Sequence, residues 1–119
     1  MSKEVREEAT LYYNNFLLYK KRTKKVFKSI VIYINTNKII LEDESKDNIK
    51  LLITKWNNTD NYSCQDYLDM RVISNNIVIN NEDLSLKELY KNYLFFFDKF
   101  HKDLYKFYEY AAKIEGKKD

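Results

Sequence analysis

Glycine occurs once in these 119 residues, at Gly116, and proline not at all. Without glycine there is no loop whose backbone N–H groups can close on a phosphate, which excludes P-loop, dinucleotide-binding and nucleophile-elbow chemistries. Cysteine and histidine are each present once, as Cys64 and His101. A lone cysteine forms no internal disulfide, which fits a reducing, cytoplasmic compartment. One histidine and one cysteine are too few to build a zinc site. No metal, cofactor or small-molecule substrate is expected. Apolar runs are short, none reaching membrane-spanning length, and the opening residues are too charged for a secretory signal.

What remains is a folding composition. Hydrophobic residues at 45%, and 11 Tyr with 7 Phe, argue against disorder and for a single domain over residues 1–119. Lysine, asparagine, isoleucine and tyrosine are abundant where Gly, Pro, Ala and Arg are scarce, the usage expected of a genome poor in G and C. A viral or mobile-element source fits that usage, which would place the protein in a host cytoplasm. The net charge of +3 is too small for the total alone to imply nucleic-acid binding.

The spacing of apolar residues predicts a helix over residues 3–24, with Val5, Ala9, Tyr12, Phe16 and Tyr19 on one stripe and Ser2 as its N-cap. Period two then takes over. Ile30, Ile32 and Ile34 alternate with Val31 and Tyr33, which predicts a strand over residues 27–35, a turn at Asn35-Thr36-Asn37, and a second strand over residues 38–42. An acidic turn and a third strand over residues 48–56 follow, then an asparagine-rich loop over residues 57–65 with one helical turn near its end. Leu68, Met70 and Val72, then residues 77–80 beyond Asn75-Asn76, read as a second hairpin.

The last segment carries the clearest helix pattern. Ser85 and Glu88 form a capping box with Leu84 and Leu89 as a staple, and an apolar stripe from Leu86 to Ile114 runs up to a cap at Gly116. The expected fold is α+β: two long helices, N- and C-terminal, packed on one face of an antiparallel sheet of about five strands, in the order α-β-β-β-β-β-α.

Four groups of residues are candidates for function. Lys20, Lys21, Arg22, Lys24, Lys25 and Lys28 form a basic run that suits a nucleic acid or an acidic partner, or else serves only the negative end of the first helix. Phe95, Phe96, Tyr105 and Tyr108 lie off the main seam of the last helix and suit a protein interface, homodimerisation included. Tyr33, Trp56, Tyr62 and Tyr67 are candidates for stacking on bases from an open sheet face. Glu42, Asp43, Glu44 and Asp47 would serve a magnesium-dependent nuclease, but an acidic turn is far commoner. No group set for catalysis assembles. The expectation is a non-enzymatic binding protein that modulates a host complex by stoichiometric contact, the general kind to which inhibitors of host defence such as anti-CRISPR proteins belong. A dimeric nucleic-acid binder using the basic run is the alternative.

Overall fold

Ala9, Phe16, Thr23 and Ile30 are buried at intervals of seven residues. The helix that carries them, α1 (Lys3–Thr36), runs unbroken past both the basic run and the isoleucine-rich segment in the computed structural model, which describes residues 3–116. The same repeat recurs in α4 (Leu84–Gly116), where Leu86, Tyr93 and Phe100, and beside them Tyr90, Phe97 and Leu104, are buried. A sustained seven-residue repeat keeps two helices in contact along their length. The two are antiparallel: ring centroids lie 5.4 Å apart for Tyr12 and Tyr110, 5.9 Å for Phe16 and Phe100 and 5.4 Å for Phe27 and Tyr93. The body measures 57 × 21 × 20 Å.

Two shorter helices lie against one end of this pair. On α2 (Asp43–Trp56), Ile49, Leu52 and Trp56 share one face, and on α3 (Cys64–Asn75), Tyr67, Met70 and Ser74 do. Trp56 reaches Phe27, Tyr93, Phe97 and Phe100, while Tyr67 reaches Phe16 and Phe100. Beyond those contacts the long pair continues without a cover. Between Tyr105 and Ile114 no residue of α4 is buried, and before Phe16 only Ala9 of α1 is.

A buried polar chain fixes how α2, α3 and α4 meet. Trp56 Nε1–H donates to the Tyr93 hydroxyl at 3.2 Å, that hydroxyl lies 2.8 Å from Ser74 Oγ, and the Ser74 hydroxyl donates to the Met70 carbonyl at 2.8 Å. Tyr90 adds a bond from its hydroxyl to the Ser74 carbonyl. Burial pushes the Tyr93 hydroxyl up to about 12, so it stays protonated and able to donate. At the surface Arg71 grips Asp98 with a two-pronged contact, Nε at 2.6 Å and Nη2 at 3.0 Å.

The expected sheet does not form, and no strand occurs among the described residues. Residues 27–35 belong to α1: Thr23, Phe27, Ile30 and Ile34 step by four, three and four, so the helical stripe continues where alternation also fits. The segment 48–56 lies in α2, and its acidic lead-in supplies Asp43 and Glu44 to the first turn, where the helix dipole favours acids. The second hairpin dissolves into α3, which is opened by a capping box between Ser63 and Asp66, and an irregular segment after it. Residues 39–42 and 77–80 are loops.

The turns fall near their expected places with different chemistry. The Ile39 N–H bonds back to the Ile34 carbonyl at 3.0 Å, and the left-handed backbone falls on Lys38, φ 51°, instead of an asparagine. At the start of α4 the cap is Asp83, whose Oδ1 accepts the Leu86 N–H at 2.9 Å and the Tyr33 hydroxyl at 3.2 Å. Ser85 therefore sits inside the helix, and Leu84 is exposed instead of stapled. Ser2 lies outside the described residues, and Gly116, the expected cap, is instead the last residue within α4.

One seam residue of α4 is charged. Asp103 is buried, its Oδ2 has no hydrogen-bond partner, and burial holds its carboxyl above the usual carboxylate range against the pull of Lys99 and Lys102. The folded chain thus holds this proton more tightly than the unfolded chain. The stability it contributes is complete below the unfolded value of about 3.9 and is lost as pH rises through the folded one. Asp103→Asn should melt higher than the wild type at neutral pH and lose that advantage in acid. A lower midpoint at neutral pH would refute this account of the seam.

Tyr93→Phe strands the Trp56 N–H in the core. We expect a loss of about 1–3 kcal/mol in urea unfolding with an unchanged slope. An unchanged midpoint would mean that the polar chain is not holding the helices together.

Candidate binding surfaces

The basic run sits in the middle of α1, with eight residues of helix after Lys28 and no basic residue in the last turn. Its charges are therefore too far from the carbonyl end to be explained by the helix dipole, which acts within a turn. The six cations point in three directions. Lys21, Lys25 and Lys28 follow one another by four and three residues and are all exposed, a line about 10 Å long at 1.5 Å per residue. Arg22 turns toward α4 and lies 5.4 Å from the Tyr19 ring, which also carries Lys99 at 5.6 Å. Lys20 is half-buried on the other side, 5.8 Å from the rings of Phe16 and Tyr67. Burial there lowers its pKa, Asp60 opposes the shift and nearby Lys24 adds to it. None of the six forms an ion pair among the described residues.

The four aromatic residues of α4 divide differently. Phe95 is 65% exposed; Tyr105 and Tyr108 are each 48% exposed. Phe96 is half-buried, stacked on Tyr19 at 6.2 Å with Phe95 against its edge. The uncovered half of the long pair adds exposed Leu11, Tyr13, Leu17 and Leu18 from α1. Near Tyr105 stands His101, 4.7 Å between centroids, half-buried with no hydrogen-bond partner for Nε2 and with its pKa lowered by burial. A neutral imidazole packed among rings accounts for it.

The candidates for base stacking are mostly committed to the core. Trp56 and Tyr67 are buried, Tyr33 is bonded to Asp83, and Tyr62 packs edge-on against Tyr67 at 5.7 Å. The carboxylates of residues 42–47 do not converge, and no cluster of three or more His, Cys, Asp or Glu suited to a metal occurs among the described residues. Burial pushes the Cys64 thiol up, away from the reactive thiolate. Among the described residues no helix is long and apolar enough to cross a membrane. Sequence reasoning missed Lys99 as a companion of Arg22. The signal was there in the antiparallel seam, since pairs such as Tyr12 with Tyr110 and Phe16 with Phe100 set the register that brings Tyr19 to Phe96 and Lys99.

The lysine line carries a cost within the fold. Lys25 has like charges four residues before it and three after, and such neighbours on a helix repel. Lys25→Glu turns both into attractive pairs, so its thermal midpoint should equal or exceed that of the wild type. A clear fall would show that Lys25 has a structural partner.

None of the protein families, curated proteins or solved structures compared with the chain matches it, so its function has to be read from these surfaces.

Proposed function

We propose that this chain is a non-enzymatic binding protein that docks a protein partner on the ring-bearing outer side of α4 and the uncovered half of the α1–α4 pair. The observation that carries the reading is the exposure of three rings on one long helix: Phe95 beside the covered stretch, and Tyr105 and Tyr108 beyond Phe100, the last ring of α4 that Trp56 and Tyr67 reach. Burying a ring of this size contributes roughly 1.5–3 kcal/mol, so three rings left in water are a substantial reserve for association. Aromatic anchors with a lysine rim suit the centre and edge of a protein interface. The biological setting that fits the composition is a viral or mobile-element accessory protein acting stoichiometrically on a host complex. A second copy of the chain is the first partner to examine.

Light scattering at micromolar concentration should give twice the 14.5 kDa chain mass, and Phe95→Ser with Tyr108→Ser should return it to the monomer with its helicity intact. A monomeric wild type overturns the homodimer. For a host partner, wild type and the same variant are used as baits in host extract. A partner recovered in fixed ratio by the wild type alone supports the docking surface, and equal recovery by both removes it.

A second reading is favoured by the unpaired cations of mid-α1. In it, the line of Lys21, Lys25 and Lys28 contacts phosphates of a nucleic acid, flanked by Arg22 and Lys99 on one side and by Lys20 and Lys24 on the other. Each neutralised phosphate of duplex DNA contributes about −0.9 to the slope of log affinity against log salt, so four contacts would give a slope near −4. Charge reversal at Lys21, Lys25 and Lys28 should abolish that binding. Affinity that ignores salt, or survives the reversal, excludes this reading.

A further inference from the structure

At the looped end of the bundle, remote from the uncovered rings, the end of α1, the loop after it and α2 enclose an open groove of about 500 Å³. Its floor is aliphatic: Val31 and Ile34 from α1, Ile49 and Ile53 from α2, with Ile39 and Leu41 closing one side. No aromatic ring lines it. The loop residue Ile40 stands 91% exposed at the edge, with nothing in the fold to cover it. Three lysines rim the groove, Lys38, Lys46 and Lys50, against the single carboxylate of Asp43. All three are exposed and without an ion pair among the described residues.

The other acids of this stretch, Glu42, Glu44 and Asp47, are exposed and lie outside the lining of the groove. Lys46 and Lys50 are one turn apart on the same side of α2, and the first turn of α2, at the Asp43 end, has no side-chain cap on its N–H groups. Lys38 holds the left-handed position after α1, a conformation unfavourable for a non-glycine residue, and its side chain lines the groove. From Lys46 to Ile53 the groove follows about 10 Å of helix axis, the length of a medium alkyl chain. Its volume is within the ~300–1,000 Å³ of ordinary small-molecule sites.

We infer that this groove binds a medium-chain alkyl carboxylate, its chain laid on Val31, Ile34, Ile49 and Ile53 and its head group held by Lys38, Lys46 and Lys50. The aliphatic floor selects the tail, since burying methylenes away from water is favourable, and the cations select a charged head over a neutral one. The site is independent of the docking surface on α4, so either stands without the other.

The probe is free decanoate, titrated below its micelle concentration and followed by the isoleucine methyl NMR signals. Saturable shifts confined to the isoleucines of the groove are expected. Decanol, with the same tail and no charge, should bind about tenfold more weakly or worse, a difference of 1.4 kcal/mol. Ile40→Glu and the pair Lys46→Glu with Lys50→Glu alter exposed side chains only, so their spectra should stay dispersed while decanoate affinity falls at least about tenfold. The inference is overturned if decanoate causes no saturable shift, if decanol binds equally well, or if both variants bind decanoate like the wild type. It is equally overturned if anionic lipid vesicles bind the protein while free decanoate does not.

Discussion

Everything in this molecule hangs on the seven-residue repeat that joins α1 to α4. Phe16, Thr23 and Ile30 on one side, and Leu86, Tyr93 and Phe100 on the other, give both long helices a buried line from the looped end to mid-length. Isolated helices of single chains are marginal in water, and amphipathic packing provides most of their stability in proteins. The pairing turns two such rods into a scaffold, and α2 and α3 add Trp56, Tyr67 and Met70 to the same core. The polar chain from Trp56 through Tyr93 and Ser74 to Met70 selects one arrangement of those helices among the many that greasy surfaces alone would tolerate.

Because the short pair covers only part of the scaffold, the molecule has two unlike ends. One is a four-helix body with loops, an aliphatic groove and a lysine rim. The other is a two-helix extension in which ring contacts such as Tyr12 on Tyr110 and Tyr13 on Phe107 hold the helices together with one side open to water. The basic line of Lys21, Lys25 and Lys28 lies between them. Three chemically different surfaces thus sit at different positions along one rod.

The helix of residues 84–116 was legible in the amino-acid sequence because nothing competed with its stripe of large apolar residues. The strands were not there because period two and period 3.6 share residues over short stretches. Ile30, Ile32 and Ile34 alternate, but Ile30 is fully buried while Ile32 is 64% exposed, the outcome of a helical register. The deciding evidence was the same scarcity that excluded phosphate loops: with no glycine or proline between Lys24 and Phe27, nothing ends the first helix. Carrying α1 onward moves the basic run from a helix end to a helix middle and changes its meaning. Ile49, Leu52, Ile53 and Trp56, spaced by three, one and three, also fit a helix better than a strand. The aromatic candidates of α4 could be picked out by their offset from the seam, but the groove of α1 and α2 could not, since it depends on how α2 folds back on the end of α1 across the loop between them.

The stacking of Tyr12 on Tyr110 brings the first turns of α1 and the last turns of α4 side by side at the tip of the extension, away from the loops. Polypeptide joined ahead of α1 or behind α4 would therefore be anchored at neighbouring points of that tip. A fluorophore or a fused domain attached at either end would report on the tip, and would leave the groove at the far end undisturbed.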